Sequence, residues 1–392
     1  MVGFVTVPAI AWGTGAVEQL SGLGARRAAV VVDPAVRGQE GPRRAVEELE
    51  RGGAVVVVIV GRDAPQRLDR IAELTQELRG AEPDWVVPIG GGATIDATKV
   101  ARLLLERPEL TLERPPVDLA VPDRPRSRLA AIPTTSGSGS EASWVADVCT
   151  SDGTPLELAH RSLVPEWAIV DPRFAQTLPL AEVVAGGLEI AGLACEAYLS
   201  AWANPFSDAL AVEALRSVVQ RLPHAVRWSD DPDARAILHY AATEAGIAQS
   251  NAQRGVGHAL ARALVRPTGL SYARLLGLVL PTVLEFDRPA ARERLETLAE
   301  VLRPAGEVPT LSVADRVRRL AANAGAPADL ASAGASVAQV AAGRERIVGE
   351  TLRSPAVLAN PKVPSARDLD ELLDVLLGLG PQRGPGGPTA KP

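Results

Sequence analysis

Short apolar runs alternate with amphipathic segments in the amino-terminal half of the chain. The apolar runs have the length of β-strands and occupy residues 28–32, 54–60, 85–89, 129–132 and 167–170. Between them, segments 41–51, 67–78 and 93–105 repeat their apolar positions with the period of a helix. Strands that alternate with helices in this way are typical of a parallel sheet with crossover helices. Residues 1–178 are therefore predicted to form an α/β domain.

The pattern changes from Leu180 onward to long amphipathic segments rich in alanine and leucine, without convincing strands. It predicts a second, all-helical domain over residues 179–379. Helix breaks are predicted where proline occurs with turn-forming residues, at 204–205, 229–232, 266–267, 304 and 360–361. Residues 108–126 are rich in proline and are predicted to be a surface loop. The Gly- and Pro-rich residues 380–392 are predicted to be a disordered tail.

Charge and composition exclude several classes of partner. The 392 residues carry a formal net charge of −6, so the chain lacks the broad basic field that nucleic acids or anionic membranes require. No apolar run approaches the roughly 20 residues that a membrane helix needs, and we recognise no amino-terminal signal sequence. The two cysteines, Cys149 and Cys195, are predicted to be reduced thiols. These features predict a cytoplasmic protein.

Two glycine-rich segments follow predicted strands and indicate a nucleotide site. In the first, GGGATIDATK, residues Gly90, Gly91 and Gly92 would let the backbone approach a pyrophosphate at a helix N-terminus. The second, PTTSGSGSE at residues 133–141, offers hydroxyl groups from Thr134, Thr135, Ser136 and Ser138. Either segment alone is equally consistent with an ordinary glycine turn. Their combination predicts where a nucleotide binds.

Asp33, at the end of the first predicted strand, bears on the choice of nucleotide. A carboxylate at this position accepts hydrogen bonds from an adenosine ribose and repels a 2′-phosphate, which favours NAD over NADP. The alternative is an aspartate that starts a turn before Pro34.

These segments resemble motifs of the iron-containing (group III) alcohol dehydrogenases, whose patterns are GGGSxxDxxK and PTTxGTGSE. Further similarities occur at residues 168–172, 178–179, 203–210, 245–251, 280–281 and 360–361. The resemblance implies an α/β dinucleotide-binding domain with a parallel sheet joined to an all-α domain, the dehydroquinate synthase-like fold. It implies cofactor contacts from Gly90, Gly91, Gly92, Ala93, Asp96, Thr134, Thr135, Ser138 and Leu178. It also implies a homodimer or larger homo-oligomer.

The resemblance fails at the metal ligands. Metal-dependent members place an Asp and a His one turn apart on a helix, a second His on a later helix and a third beyond it. The corresponding residues here are Glu189, Leu193, His258 and Tyr272. Leucine cannot coordinate a metal and neutral tyrosine coordinates it poorly, so the resemblance implies that these positions are vestigial and that no metal is bound.

Other positions also depart from the family pattern. Arg262 stands where relatives often have a further His beside the nicotinamide, and a guanidinium there would attract a carboxylate or phosphate on the substrate. Pro155 replaces a common lysine. Ala93 replaces the serine of the first glycine motif, which implies the loss of one hydroxyl contact to the cofactor phosphate.

Without a metal, side chains must take the hydroxyl proton during hydride transfer. The resemblance gathers His258, Tyr272 and Glu189 beside the nicotinamide, with His258 or Tyr272 as the acid/base and Arg262 as the anion-binding group. The alternative is that Glu189 is a solvated helix residue, His258 a core histidine and Tyr272 a packing residue.

The leading hypothesis is a metal-independent, NAD-linked dehydrogenase or reductase that acts on a hydroxyl or carbonyl of a carboxylate-bearing substrate. The substrate is expected to be a small molecule or a peptide C-terminus, and oxidative decarboxylation in natural-product or ribosomal-peptide tailoring would suit such an enzyme. One alternative is an alcohol dehydrogenase that binds Fe or Zn weakly through Glu189, His258 and water. A maleylacetate-type reductase and a non-catalytic partner in a biosynthetic complex are the others.

Overall fold

The computed structural model describes residues 3–64, 66–112, 125–229, 231–303 and 311–379. The predicted loop at 108–126 lies largely outside these residues. The predicted break at Pro304 and the predicted disordered tail at 380–392 lie outside them entirely.

A six-stranded parallel sheet organises the amino-terminal half of the described chain. This half contains eight described strands, of which six form the sheet. They are β1 Ala9–Trp12, β2 Arg27–Val32, β3 Val55–Val60, β4 Trp85–Gly90, β5 Arg128–Pro133, β6 Val145–Cys149, β7 Pro155–Ala159 and β8 Trp167–Val170. The sheet order is β1-β8-β5-β4-β2-β3, and β6 pairs with β7 as a separate antiparallel hairpin. All five predicted strands are confirmed. The sequence analysis missed β1 and the hairpin.

Three crossover helices connect strands of the sheet, as predicted. They are α1 Glu40–Arg51, α2 Leu68–Ala81 and α3 Gly92–Glu106. Strands β2 and β4 supply apolar residues to both faces, because the core on one side contains Val31 and Val86 and the core on the other contains Val30 and Val87. Burial on both faces explains why these strands consist of nearly continuous apolar residues.

The second half is helical throughout its described residues, which confirms the predicted fold class. Its helices are α4 Leu180–Leu199, α5 Pro205–Arg227, α6 Pro232–Ala252, α7 Val256–Thr268, α8 Tyr272–Asp287, α9 Arg292–Val301, α10 Val313–Asn323, α11 Val337–Ala342, α12 Arg344–Arg353 and α13 Ala366–Leu376. The break predicted near 266–267 is confirmed within two residues: α7 includes Pro267 and ends at Thr268, and Gly269 caps it in the left-handed conformation. None of the described helices is long and apolar enough to cross a bilayer.

The second glycine segment joins the two halves. A Cβ atom on Gly137 would collide with the Glu189 carboxylate of α4, and one on Gly139 would collide with the backbone of α6. Ser136 forms a 3.0 Å hydrogen bond with Nδ1 of His239, which is also on α6. The glycines of this segment therefore serve close packing between the sheet and the helices, in addition to any role beside a nucleotide.

Candidate active site between the sheet and the helices

The first glycine segment leads from β4 directly into α3. Gly91 is the N-cap residue of α3, and no side chain in the described residues caps this helix end. None of Gly90, Gly91 and Gly92 has a positive φ. Their small size is needed for packing, since a Cβ on Gly92 would lie 2.6 Å from the Ser138 hydroxyl oxygen and one on Gly90 would lie 2.7 Å from Cβ of Thr94. The result is a helix N-terminus that the hydroxyl side chains of the second glycine segment approach closely, and the first N–H groups of a helix lack partners within the helix.

Asp33 lies beside this turn, at the end of β2, with both carboxylate oxygens in use. Oδ2 accepts a 2.8 Å hydrogen bond from the Thr94 hydroxyl, and Oδ1 accepts one of 2.9 Å from the backbone N–H of Ala35. The second bond is the turn that the sequence left open as an alternative. Each carboxylate oxygen retains acceptor capacity, so ribose binding by Asp33 stays a prediction.

A cavity of about 320 Å³ lies between the sheet and the helices. Among the predicted cofactor residues, those that line it are Gly92, Ala93, Asp96, Thr135 and Ser138. Of the five predicted catalytic or vestigial positions, four also line the cavity, namely Glu189, Leu193, Arg262 and Tyr272. His258 does not. One cavity thus contains residues from both glycine segments and from α4, α7 and α8.

Several predicted cofactor residues lie elsewhere or have structural partners. Asp33, Gly90, Gly91, Thr134 and Leu178 are not among the lining residues of the cavity. The side chain of Leu178 packs against the helical core, and its carbonyl oxygen accepts a 2.9 Å hydrogen bond from Arg235. Asp96 does line the cavity, but its carboxylate pairs with Lys99 at 3.2 Å and accepts the Asp147 backbone N–H at 3.0 Å.

His258 and Tyr272 form a direct side-chain pair. His258 is on α7 and only 1% exposed, and Tyr272 is the first residue of α8. Nδ1 of His258 lies 2.8 Å from the Tyr272 hydroxyl oxygen. Burial raises the pKa of Tyr272 well above its ordinary value, so its hydroxyl is protonated at neutral pH. Burial and the charge of Arg254 lower the pKa of His258, although Asp147 and Glu157 oppose them.

Two carboxylates of the β6–β7 hairpin face the other nitrogen of His258. Nε2 lies 3.4 Å from a carboxylate oxygen of Glu157 and 3.7 Å from one of Asp147. Because ionised carboxylates only accept hydrogen bonds, these partners assign the proton to Nε2 and leave Nδ1 as an acceptor. In the hydrogen bond between the two side chains, the Tyr272 hydroxyl is therefore the donor and Nδ1 of His258 is the acceptor.

Arg254 pairs with both of these carboxylates. Its Nη1 lies 2.5 Å from Oδ2 of Asp147, and its Nη2 lies 2.7 Å from Oε2 of Glu157. The sequence analysis missed all three residues. The only signal was a charged residue, Asp147, within the otherwise apolar strand VADVC. The pairing partners were invisible because they are distant along the chain.

Glu189 is buried, at 7% exposure, and lies one helical turn before Leu193 on α4. Its burial contradicts the alternative of a solvated helix residue. Burial raises the pKa of Glu189 to about 8, with the negative charges of Asp147 and Asp96 adding to the effect. With this pKa the side chain is mainly a neutral acid at pH 7 and is able to donate a hydrogen bond.

Arg262, one turn after His258 on α7, is only partly buried. Its Nη2 donates a 2.8 Å hydrogen bond to the carbonyl oxygen of Val148. The residue lines both the cavity described above and a neighbouring one of about 260 Å³. Its guanidinium has further N–H donors besides the one bonded to Val148.

Comparison with known proteins agrees with this architecture. Residues 8–172 match the family described as iron-containing alcohol dehydrogenase, and residues 183–377 match the carboxy-terminal domain of the same family. The chain belongs to the iron-containing alcohol dehydrogenase family. The family assignment, the fold class and the expectation of an oxidoreductase acting on CH–OH groups are thereby confirmed.

Individual relatives extend over most of the chain. An alcohol dehydrogenase of Thermococcus barophilus is 32% identical over 83% of this chain and 85% of its own length. An NADPH-dependent butanol dehydrogenase of Clostridium saccharobutylicum is 30% identical over 78% of this chain and 79% of its own. The solved structure of an iron-containing alcohol dehydrogenase from Thermococcus thioreducens superposes with a TM-score of 0.86 at 29% identity, covering 96% of this chain and all of that one.

The four positions that the resemblance aligns with the family's metal ligands form a poor donor set in this chain. Leu193 has no donor atom, and the Tyr272 hydroxyl is protonated and hydrogen-bonded to His258. A divalent ion requires several deprotonated ligands at one point, and these residues do not supply them. The absence of a bound metal nevertheless stays a prediction, since Asp147, Glu157 and His258 form a second group of potential ligand atoms.

Proposed function

We propose that the chain is an NAD-linked dehydrogenase or reductase that moves the hydroxyl proton with side chains instead of a metal. The observation that supports this most strongly is the cavity that is lined by the start of α3, by Thr135 and Ser138, and by Tyr272, whose hydroxyl is hydrogen-bonded to His258 behind it. A bound nicotinamide cofactor would accept the hydride during oxidation and supply it during reduction.

The proton follows the hydrogen-bond direction between the two side chains. During oxidation, the substrate hydroxyl gives its proton to the Tyr272 oxygen while the Tyr272 proton moves to Nδ1 of His258, 2.8 Å away. The imidazolium that forms keeps its Nε2–H directed toward the carboxylates of Glu157 and Asp147, which stabilise the added charge. Reduction uses the same steps in reverse. Tyr272 is thus the group that touches the substrate, and His258 receives the proton behind it.

Two further side chains bind and orient the substrate in this proposal. Glu189, held neutral by burial, donates a hydrogen bond to the reacting oxygen. Arg262 binds an anionic group of the substrate through its free guanidinium donors. The proposed substrate is therefore a hydroxy or oxo compound that also carries a carboxylate, either a small molecule or a peptide C-terminus.

The position of the hydroxyl decides the product. Where it is β to the carboxylate, oxidation gives a β-keto acid that can lose carbon dioxide, as in natural-product or ribosomal-peptide tailoring. We extend the proposal to this chemistry because Arg262 lines the reaction cavity. We also propose a cytoplasmic location and a homo-oligomeric state. The cytoplasmic location is supported by the two described cysteines, which are both free thiols.

A metal-dependent alcohol dehydrogenase is the second candidate. The family is named for iron, and the side chains of Asp147, Glu157 and His258 place potential ligand atoms within 4.8 Å of one another. Metal analysis of protein produced in medium supplemented with iron and zinc separates the candidates. Near-stoichiometric metal that is required for turnover supports the second candidate and contradicts the first. The maleylacetate-type reductase and the non-catalytic partner have no additional observation in their favour.

Titration with NADH and NADPH tests the cofactor. We expect tighter binding of NADH, because the Asp33 carboxylate repels the 2′-phosphate of NADPH. Asp33→Asn should reduce this preference without abolishing binding, since the amide retains an acceptor for Thr94 and removes the charge. Fluorescence titration of both proteins measures the effect. Equal binding of the two cofactors by the wild-type protein, or no binding, contradicts the assignment.

Replacing Arg262 with leucine should raise the KM for carboxylate-bearing substrates by about 10- to 100-fold, which corresponds to the loss of a charge-assisted hydrogen bond of about 1.5–3 kcal/mol. The KM for neutral alcohols should change little. Arg266→Leu is the matched control, because Arg266 lies one turn further along α7 and pairs with Asp152 outside the cavity. An equal loss for neutral and anionic substrates shows that Arg262 does not bind the anion.

A further inference from the structure

Asp147 and Glu157 are directly opposite each other in the β6–β7 hairpin. The register pairs Asp147 with Glu157 across the two antiparallel strands, so both side chains project from the same face. Both are largely buried, at 18% and 7% side-chain exposure. Like charges at directly opposed positions destabilise a hairpin, and two buried carboxylates without a cation cost far more. The hairpin therefore requires a positive charge at this position.

Arg254 supplies that charge. Its guanidinium contacts both carboxylates, through Nη1 to Asp147 and through Nη2 to Glu157, and the residue is only 4% exposed. The guanidinium of Arg262 also acts on Asp147, and the pKa of this carboxyl lies far below its usual range, with Arg254 as the largest cause that lowers it. Both carboxylates are thus ionised, and their ion pairs with Arg254 lie between the hairpin and the start of α7.

The backbone before Arg254 is shaped to direct the side chain inward. Gln253 has φ 66° and ψ 163°, a conformation that residues other than glycine adopt at a cost of order 1–3 kcal/mol. The strain occurs in the short connection between α6 and α7, one residue before the guanidinium enters the acid cluster. Backbone strain of this kind persists where surrounding contacts demand it, and the two ion pairs of Arg254 are such contacts.

We infer that Arg254 is the resident cation of this cavity, and that its guanidinium occupies the position at which Asp147, Glu157 and His258 would otherwise bind a divalent ion. The guanidinium and a metal ion cannot both occupy it, because each would need the same carboxylate oxygens and the two positive charges would repel at contact distance. Arg254 acts as a positioning residue, since it holds the carboxylates that face Nε2 of His258. The positioning role of Arg254 in catalysis rests on the proposed function. The occupation of the potential metal position by its guanidinium does not.

Metal binding by wild-type protein and by Arg254→Met tests the inference without any measurement of turnover. Methionine has a similar length but no charge, so the variant leaves Asp147, Glu157 and His258 without a cation. Zn(II) calorimetry and the visible absorption of Co(II) should show about one bound equivalent in the variant and none in wild type. Adding Glu157→Gln to Arg254→Met should reduce the acquired affinity by at least about 10-fold.

Arg102→Met is the matched control. Arg102 is equally buried, at 3% exposure, but its main partners are the carbonyl oxygens of Ser127 and Ser162. This variant loses a buried guanidinium and should gain no metal affinity. If Arg254→Met does not fold, wild-type protein still tests the inference: stoichiometric Zn(II) or Fe(II) that is lost with Glu157→Gln would overturn it. Failure of Arg254→Met to bind metal while folded would also overturn it.

The same proteins separate this inference from the proposed function. Wild-type protein that binds neither NADH nor metal, beside an Arg254→Met variant that binds Zn(II), contradicts the proposed cofactor and supports the inference. Wild-type protein that binds NADH and requires a metal held by Glu157 contradicts the inference and leaves the NAD-linked oxidoreductase in place.

Discussion

Replacing Tyr272 with phenylalanine is expected to reduce kcat by about 10²- to 10⁴-fold, the usual contribution of a positioned general acid or base. The change deletes one oxygen atom and keeps the ring that packs edge-on against His258 at 5.3 Å between centroids. It removes the only hydroxyl within hydrogen-bond distance of Nδ1 of His258 among the described side chains. His258→Ala should reduce kcat by a similar factor, because Tyr272 then has no group to receive its proton. NADH binding should be retained in both variants.

Steady-state kinetics together with NADH fluorescence titration measure these effects. Tyr240→Phe is the matched control, because Tyr240 contacts Trp12 edge-on and is not among the residues that line the reaction cavity. The double variant Tyr272→Phe/His258→Ala should be little worse than either single variant, since both residues act on one proton. Full turnover in Tyr272→Phe and in His258→Ala would show that neither is the acid/base group.

Replacing Gly139 with alanine is expected to lower the free energy of unfolding by about 2–5 kcal/mol. About 1–2 kcal/mol comes from the left-handed conformation, since Gly139 has φ 63°. A further 1–3 kcal/mol, roughly, comes from overpacking, because the new Cβ would collide with the Ala242 carbonyl oxygen and with Gly246. Both obstacles are backbone atoms of α6, which cannot rotate away as a flexible side chain does.

Chemical denaturation monitored by circular dichroism measures this loss. Gly53→Ala is the matched control, because Gly53 also has a positive φ of 90° but no atom within 4 Å of the added Cβ. It should lose only the conformational part, about 1–2 kcal/mol. Equal losses in the two variants would show that contact between the second glycine segment and α6 contributes nothing to stability.

The two glycine segments show which features of the site could be predicted from the sequence and which could not. They predicted that residues near 90–99 and 133–141 lie at one site, and the cavity confirms that both contribute lining residues. From the sequence, the second segment alone is equally consistent with a nucleotide-binding segment and with an ordinary glycine turn. Its glycines are also required by α4 and α6, which approach Gly137 and Gly139 too closely for any side chain. A glycine in the sequence indicates a position with little space for a side chain, but the sequence does not show which atoms lie close to it.

The catalytic residues divide in the same way. His258, Tyr272, Glu189 and Arg262 were proposed because the family resemblance aligned them, and His258 and Tyr272 are in direct contact. Asp147, Glu157 and Arg254 were not predicted because no local pattern links the two strand residues to an arginine 107 and 97 positions later. Their significance lies in the pairing of opposed carboxylates with a buried guanidinium.

The sequence by itself determined the alternation of strands and helices, the all-helical second half and the family, because period, turn residues and motifs are local properties of the chain. Only the tertiary structure decided the direction of the Tyr272–His258 hydrogen bond, the protonation of Glu189 and the cation held by Asp147 and Glu157. These depend on burial and on charges brought together from distant segments, and electrostatic energy is set by distance in space and by the loss of water, not by separation along the chain.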